Sequence, residues 1–409
     1  EGDEWAPFAG MEDRAETLRA FLDLVPFNAS MAPRRHSVAA IEVPKTLPVP
    51  AIDVQSTQEA FGKILYDIAG SRTDLADAIV TTAPDVTQST NLGGWVNRRG
   101  IFARDEKEDV FRAEHVPSAQ KWAFSDTGQH IELGIAENNL FILLGALGLS
   151  HQLFGKRLFP IGTLYDPFIA RGLDALNYAC YQDARFMVVA TPSGITLAPK
   201  GGAHQSVSSP LIGMGQPGLA SFDPAFADEV AAIMRWSFEH MQADDGGSVY
   251  LRLSTRPLAQ PKREMEEKLN GGVLDGAYWR VKPTDPQAGA IVYAGAIAPE
   301  AEAAHARVAK TRPGVGLLAV TSADRLYQDW RQGGDASNIA GLLSEMASGT
   351  RMVTVLDGHP ATLSWLGGVR GHRIVPLGVE AFGQCGDIPD LYRTYGIDAD
   401  SIVAAMVAS

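Results

Sequence analysis

The stretch HIELGIAENNLFILLGALGL, residues 130–149, joins a short β-compatible run to a strongly apolar segment through Gly134. The apolar residues that share one helical face after this glycine are Ala136, Leu140, Leu143, Leu144 and Leu147. This period predicts a buried helix that follows directly on a strand. Glu137 would then lie in the first turn of that helix.

Two interpretations of Glu137 are open. An acid in the first turn of a helix is favoured by the helix dipole by about 0.3–1 kcal/mol, and most such residues do nothing more. A strand end that opens into a helix is, however, where ligands bind to open α/β sheets. The residues that flank Glu137 are also too apolar for a solvated carboxylate. These surroundings favour a functional role.

Outward from this stretch, helix-like and strand-like units alternate from Ser56 to Thr255. The predicted helices are TQEAFGKILYDIAG, IAENNLFILLGALGL, DPFIARGLDALNYACYQ and FADEVAAIMRWSFEHM. The predicted strands are in DAIVTTAPDV, HIELG, KRLFPIGTL, ARFMVVATPS and GSVYLRLS. The alternation predicts an α/β domain, residues 56–255, whose parallel sheet is covered on both faces.

Three further segments complete the predicted organisation. Residues 1–55 are proline-rich beyond one amphipathic patch and are typical of a linker from an upstream domain. Residues 256–280 include REMEEKLNGG and are expected to bridge two domains. Residues 281–409 repeat the strand and helix rhythm and predict a second, smaller α/β domain. The chain begins at Glu1 without a signal pattern, so we expect that its beginning is missing.

The composition excludes several classes of protein. A net charge of −13 argues against binding to nucleic acid or to an anionic membrane by bulk electrostatics. The longest apolar run is shorter than the roughly 18 residues of a membrane span. Cys180 and Cys385 are far apart and lack metal-binding spacing, so both are expected to be buried thiols of a reducing, cytoplasmic compartment.

Three other stretches carry candidate site residues. Tyr165, Phe168 and Arg171 recur at spacings of three, which is typical either of core packing or of an aromatic face for a flat heterocycle beside a cation. His204, in the loop KGGAHQ, is either a surface residue or a proton-exchanging group beside a backbone that glycines allow to approach a ligand. Asp85 ends a strand, where turn chemistry is the alternative to a site role.

The order of these motifs is more specific than any one of them. APDV, ELGIAE, the aromatic row, GGAHQ and SFDPAFADEVAAIM together resemble the pyrimidine-binding domain of transketolase-like thiamine diphosphate enzymes. SFDPAFADEVAAIM, AVTSADRLYQDW and VEAFGQCGDIPDLYRTYGID are most similar to the homodimeric, decarboxylating first component of pyruvate dehydrogenase. The resemblance extends from about Ser56 to the C-terminus and implies a transketolase-type C-terminal domain for residues 281–409.

The resemblance implies a role for each candidate residue. Glu137 matches the glutamate that hydrogen-bonds the aminopyrimidine ring nitrogen of the cofactor and relays a proton there. Phe168 matches the aromatic residue that stacks on the pyrimidine, with Tyr165 and Arg171 beside it as cofactor-binding residues. His204 matches a histidine near the reacting carbon of the substrate, and Asp85 matches an acidic residue on the thiazolium side.

Two departures from the family pattern limit what the resemblance implies. The GGAHQSV loop carries one histidine, fewer than the pyruvate-type loop, so the substrate and the acyl acceptor stay open. A GDG motif followed some 25 to 30 residues later by Asn, which holds magnesium and the diphosphate in the family, does not occur. We therefore expect Mg²⁺ to be bound by a domain absent from this chain and assign no metal ligand within it.

The expected partner is this diphosphate-binding domain or chain, in a homodimer or a heterotetramer, together with a lipoyl acyltransferase component. The leading hypothesis is thiamine diphosphate-dependent decarboxylation of pyruvate or a close homologue with transfer of the two-carbon unit. The alternatives are ketol transfer between sugar phosphates, as in transketolase, and a non-catalytic assembly subunit of the same fold.

Overall fold

The computed structural model describes residues 6–25, 36–105, 114 and 122–408. They divide into one small unit, Glu1–Ala39 with Ser150–Arg157, and one large unit, Ala40–Leu149 with Leu158–Ser409. In the small unit, helix α1 (Ala15–Asp23) buries none of its residues. There the amide of His36 donates a hydrogen bond of 3.1 Å to the carbonyl of Gln152. Residues 1–5 and 26–35 of the predicted linker lie outside the described residues.

The first sheet of the large unit has eight strands, and all its neighbouring pairs are parallel. Its strands are β2 (Ile79–Ala83), β3 (Ile101–Phe102), β4 (Phe124–Ser125), β5 (His130–Glu132), β6 (Phe159–Leu164), β7 (Met187–Ala190), β8 (Leu219–Phe222) and β9 (Ser248–Arg252). Their order is β4-β3-β5-β2-β6-β7-β9-β8. The predicted α/β fold with a parallel sheet is confirmed. Strands β3, β4 and β8 escaped prediction, because two of them span two residues each and the third, LASF, does not alternate.

Strand β2 lies at the point where the chain changes direction along the sheet. From β2 the chain adds β3, β4 and β5 on one side and then returns to add β6 on the other. The carboxyl ends of β5, β2 and β6 therefore flank a crevice of the kind in which open parallel sheets bind ligands.

The apolar patterns predicted the helices of nine or more residues in this part of the chain, but not the shorter ones. The helices of the large unit in this region are α2 (Thr57–Ala69), α3 (Asp74–Ala78), α4 (Gly93–Arg99), α5 (Glu137–Gly148), α7 (Leu173–Tyr181), α8 (Ser209–Gly215) and α9 (Ala227–His240). Helix α6 (Ser150–Phe154) belongs to the small unit. Helix α2 begins with a capping box: the Ser56 hydroxyl accepts from the Glu59 amide at 3.1 Å, and the Glu59 carboxylate accepts from the Ser56 amide at 2.8 Å.

The buried face of α5 differs from the predicted one. Its buried residues are Glu137, Leu140, Phe141, Leu144, Gly145 and Gly148, whereas Leu143 and Leu147 are only half-buried. The face is rotated because α5 packs closely on its neighbours through glycine. A Cβ at Gly145 would lie 3.2 Å from the Cβ of Ala179 on α7.

The segment predicted as a single helix from Asp166 to Gln182 is two helices. Asp166–Gly172 is a 3₁₀ helix, and α7 follows it. Pro167 lies in the first turn of the 3₁₀ helix, where a residue without an amide hydrogen loses no helical hydrogen bond. In a 3₁₀ helix, residues three apart are eclipsed, so the row of three-residue spacings lies along one side of this segment.

The second sheet has five strands in the order β11-β13-β12-β14-β15, and β11 is its antiparallel member. The strands are β11 (Ala277–Val281), β12 (Ala290–Ala294), β13 (Gly316–Val320), β14 (Arg351–Leu356) and β15 (Arg373–Leu377). The helices are α10 (Glu267–Asp275), α11 (Ala298–Val308), α12 (Ala323–Gly333), α13 (Asn338–Leu343), α14 (Ala361–Ser364), α15 (Gly367–Arg370), α16 (Ile388–Thr394) and α17 (Ala399–Val407). The expected second, smaller α/β layer is confirmed.

The segment expected to bridge the domains, residues 256–280, has regular structure. It contains β10 (Leu258–Ala259), which pairs with β1 (Val54–Gln55), then α10 and most of β11. The expected burial of both thiols is wrong for Cys385, which is exposed, while Cys180 is half-buried. Within the described residues, none of the helices combines the length and the apolar composition that crossing a bilayer requires.

Candidate functional site

The structure gathers most of the predicted site residues at one edge of the first sheet. Glu137 begins α5 after β5, Tyr165 and Phe168 follow β6, and His204 lies in the loop after β7. Because these strands are parallel neighbours around β2, the segments after them emerge at the same edge.

Three rings form a cluster at this edge. The rings of Tyr165 and Phe168 stack with centroids 5.9 Å apart and planes inclined by 26°. The His204 ring meets both edge-on, at 5.5 Å from Phe168 and 6.4 Å from Tyr165. The Nδ1 atom of His204 is buried and has no hydrogen-bond partner in the part of the chain that the structure describes. Such a nitrogen is suited to a partner that arrives with a ligand.

Glu137 and Phe168 hold the same guanidinium group between them. Nη1 of Arg171 donates a hydrogen bond of 2.6 Å to Oε1 of Glu137, and Cζ of Arg171 lies 3.7 Å from the centroid of the Phe168 ring. Glu137 is 7% exposed, whereas the Arg171 side chain is 51% exposed. The site therefore accepts a flat, N–H-bearing group that is bonded to the carboxylate and stacked on the ring.

The glycines before His204 serve a close approach, but to another part of this chain and not to a ligand. Gly201 has a φ of +78°, and a Cβ there would lie 2.9 Å from Sγ of Cys385. A Cβ at Gly202 would lie 2.3 Å from the carbonyl oxygen of Gly383. The loop of the second domain thus packs directly on the backbone that carries His204.

Asp85 lies beside a hydrogen-bonded chain that sequence reasoning missed. Its backbone has a φ of +61°, and its amide donates to Oε1 of Glu132 at 2.8 Å. The Thr87 hydroxyl donates to Oε2 of Glu132 at 2.6 Å and lies 3.0 Å from Nε2 of the buried His130. Since that hydroxyl has a single proton, the network assigns the His130 proton to Nε2.

This chain of hydrogen bonds sets the charge of Glu132. Burial by itself raises the pKa of its carboxyl group, but hydrogen bonds from His130, Thr87 and the Asp85 amide outweigh that effect and lower the pKa. Glu132 is therefore a carboxylate at the end of β5. The sequence signal that could have identified Glu132 is its place at a strand end, two residues after a histidine on the same face of the strand.

A second group that the sequence analysis missed lies beneath the ring cluster. Asp166 is fully buried and accepts hydrogen bonds from Tyr250 at 2.5 Å and from Nε of Arg252 at 3.0 Å. Arg252 also donates to Asp223 at 2.8 Å and to the carbonyl of Asp357, in the second domain, at 2.7 Å. The sequence did not indicate this role for Asp166, because a single acid between Tyr165 and Phe168 gives no sign of its distant partners.

The charges of this buried group follow from their mutual contacts. Burial by itself lowers the pKa of Arg252, but Asp223 and Asp166 outweigh it and raise the pKa above its usual value. Burial raises the pKa of Asp357 to about 6, although Arg252 opposes the rise. Arg252 is therefore a permanent cation that ties both sheets together.

A cavity of 510 Å³ adjoins the site. It is lined by Asp166, Pro167, Ile169, Ala170, Gly202, Ala203, Gln205, Ser206, Val207, Ser208, Ser209, Ile212 and Phe382, and thus by neighbours of the site residues. Phe168, Arg171 and His204 are not part of this lining. The cavity is therefore distinct from the ring cluster, although residues 166–170 and 202–209 contribute to both.

Comparison with known proteins identifies the family of the domain that carries this site. Residues 52–256 match the family model of the pyruvate dehydrogenase E1 component middle domain. The pyruvate dehydrogenase E1 component of Mycolicibacterium smegmatis is 26% identical over an alignment of 372 residues that covers 86% of this chain and 39% of that protein. The chain thus spans about two fifths of the length of this curated relative.

Solved structures agree in fold. Transketolase from Leishmania mexicana superposes with a TM-score of 0.68 at 19% identity, covering 97% of this chain and 51% of that one. A split-gene transketolase described as an inactive β4 tetramer has a TM-score of 0.55 at 20% identity and covers 86% of this chain and 97% of its own. The strand order, the position of the ring cluster and the family match lead to one conclusion: the chain belongs to the pyruvate dehydrogenase E1 family of transketolase-like thiamine diphosphate enzymes.

Proposed function

We propose that this chain supplies the pyrimidine-side half of a thiamine diphosphate site that decarboxylates pyruvate or a close homologue and passes on the two-carbon unit. One observation carries the proposal. A buried carboxylate, Glu137, and an aromatic face, Phe168, both contact one planar nitrogen group, the Arg171 guanidinium.

The residues present fit an aminopyrimidine. Like the guanidinium, a protonated aminopyrimidine ring is flat and offers N–H donors in its plane, so it can bond to a carboxylate while it stacks on an aromatic ring. Glu137 and Phe168 are the residues that would hold it, with Tyr165 stacked behind Phe168. Arg171 must leave this position when the ring enters, and its exposed side chain has room to do so.

Each residue then has a task. Thiamine diphosphate, when bound, supplies the nucleophilic carbon and the electron sink that decarboxylation requires. Glu137 holds and returns a proton at the ring nitrogen, and its burial keeps water from competing for that proton. His204, whose Nδ1 lacks a partner among the described residues, is placed to exchange a proton with the substrate. Asp85 and its neighbour Glu132 supply negative charge toward the cationic thiazolium.

The diphosphate half of the site must come from elsewhere. This chain spans 39% of the Mycolicibacterium smegmatis relative, and the residues that would hold Mg²⁺ and the diphosphate are expected in another segment or chain. The split-gene transketolase, which this chain covers over 97% of its length, supports a separate partner chain. A lipoyl acyltransferase is the proposed acceptor of the acyl group.

The test is turnover by this chain assembled with its diphosphate-binding partner, thiamine diphosphate and Mg²⁺. We expect pyruvate-dependent reductive acetylation of a lipoyl domain and no ketol transfer between sugar phosphates. Ketol transfer without acetylation would replace the proposal with a transketolase activity, and absence of both would leave an assembly role.

A further inference from the structure

Asp166 occupies an unusual position, because it is buried between two of the site's aromatic residues but does not face the ring cluster. It follows Tyr165 directly and precedes Phe168 by two residues. Its side chain is 0% exposed and points to the sheet, where it meets Tyr250 and Arg252 of β9. A carboxylate is costly to bury, so this position requires its hydrogen-bond donors.

Two further donors to Asp166 come from the segment that carries His204. The hydroxyls of Ser206 and Ser209 both donate to Oδ2 of Asp166, Ser209 at 2.5 Å. The Ser206 hydroxyl in turn accepts a hydrogen bond of 2.8 Å from the amide of Gly194. Its one proton and one of its two acceptor lone pairs are thus in use, and these two bonds fix its orientation.

One carboxylate therefore joins the two segments that form the ring cluster. On one side, Asp166 belongs to the 3₁₀ helix that presents Phe168. On the other side, Ser206 is two residues from His204, whose ring lies 5.5 Å from that of Phe168. The backbone hydrogen bond from the Gln205 amide to the Gly202 carbonyl keeps the intervening turn short.

The second domain supports the same segment from behind. The amide of His359 donates to the carbonyl of Val207 at 2.9 Å, and Nε2 of Gln205 donates to the carbonyl of Gln384 at 2.9 Å. Arg252 connects Asp166 to the carbonyl of Asp357 in that domain. The position of the His204 loop is thus set by contacts on both its sides.

We propose that Asp166, acting through Ser206, is a positioning residue that holds the His204 ring against the Phe168 ring. Its catalytic consequence rests on the proposed function, whereas the placement of the ring does not. Ser209 contacts the same oxygen but begins α8, five residues after His204, so its bond secures that helix and not the His204 turn.

The pair of serines provides a matched test, because replacing the buried acid itself risks unfolding the chain. Ser206→Ala and Ser209→Ala each remove one buried hydroxyl that donates to Oδ2 of Asp166. The first readout is the NMR resonance of the His204 ring Cε1–H in this chain, labelled at histidine and assigned with His204→Gln. The neighbouring aromatic rings displace this resonance from its position in an unstructured peptide.

We expect Ser206→Ala to move the resonance toward the unstructured position and Ser209→Ala to leave it in place, with similar melting temperatures for the two variants. An unchanged resonance in Ser206→Ala, or an equal displacement in Ser209→Ala, would overturn the proposal. This NMR test does not require that the enzyme be active.

The second readout is turnover of the assembled enzyme with pyruvate. Ser206→Ala should lower kcat by about tenfold or more, because small misplacements of a catalytic group have large effects on rate. The dissociation constant of thiamine diphosphate should stay within about twofold, since Phe168 and Glu137 keep their places. Equal kcat values for wild type and Ser206→Ala would contradict the catalytic consequence. If the wild-type assembly does not decarboxylate pyruvate, the proposed function fails, while the NMR result still decides the positioning role.

Discussion

Arg171 donates a hydrogen bond of 2.6 Å to Glu137 from a guanidinium that also covers the Phe168 ring. Glu137 is thus paired with a cation from the segment after β6 and is not isolated among apolar side chains. This relationship connects the stability of the site to its proposed chemistry, and each can be tested apart from the other.

Arg171→Met should destabilise the chain. The substitution keeps an extended side chain but leaves Glu137, which is 7% exposed, without its donor. We expect a loss of about 1 kcal/mol in the free energy of unfolding, at the low end of the usual range because the Arg171 side chain is half exposed. Urea unfolding measures it. Arg331→Met, at an exposed position of α12, is the control and should change stability by less than about 0.5 kcal/mol.

Glu137→Gln should separate catalysis from folding. Glutamine retains the shape and can accept a hydrogen bond from Arg171, so the unfolding free energy should change by less than about 1 kcal/mol. Turnover of the assembled enzyme should fall by about 100-fold or more, because the amide cannot relay a proton. Unchanged turnover would remove the catalytic role of Glu137 and favour an assembly subunit.

Phe168→Leu should weaken cofactor binding. Leucine fills space but offers no flat face, and loss of an aromatic stacking contact of about 0.5–1.5 kcal/mol corresponds to a roughly two- to tenfold higher dissociation constant for thiamine diphosphate. Calorimetric titration of the assembled enzyme measures it. Tyr181→Leu, at a position on α7 that is 84% exposed, should leave the constant unchanged; a similar weakening there would point to a general effect.

Gly172→Ala should disturb the junction between the 3₁₀ helix and α7. A Cβ there would lie 2.3 Å from Cδ2 of Phe141 and 3.2 Å from the carbonyl oxygen of Glu137. We expect a destabilisation of about 1–3 kcal/mol in thermal unfolding. Gly341→Ala in α13 is the matched control, because a Cβ there meets nothing within 4 Å. That control should stabilise the chain by about 0.5–1 kcal/mol, and equal losses in both variants would contradict the packing argument.

Asp357 should make stability depend on pH. Burial raises the pKa of Asp357 from 3.8 to about 6, so between these values the folded chain holds a proton that the unfolded chain has released. Stability therefore falls as pH rises through this window, by up to about 3 kcal/mol from this group. Asp357→Asn removes the titration.

The measurement is the difference in unfolding free energy between wild type and Asp357→Asn at pH 4 and pH 7. The advantage of wild type over the variant should shrink as pH rises. Asp324→Asn should behave in the same way, because burial also raises the pKa of Asp324 to about 6. A difference that does not vary with pH would contradict the raised pKa.

Much of the fold is readable in the sequence, because local patterns determine it. Apolar periods of two and 3.6 residues located most long strands and helices, and their alternation indicated the parallel sheet. Short strands such as β3 and β4 left no period to detect. The rotation of the buried face of α5 also escaped, since it depends on how closely Gly145 lets α7 approach.

The candidate site, too, was predictable only where it depends on local sequence. The sequence alone placed Glu137, Tyr165, Phe168 and His204 after strands of one sheet, because strand ends and turn residues are local features. It could not show that Arg171 pairs with Glu137 across 34 positions, or that Asp166 bonds to the serines after His204. Those partners are distant in sequence and are brought together only when β6, β7 and β9 align in the sheet. Hydrophobic pattern fixes which segments form the layers, whereas the order of the strands decides which polar side chains meet.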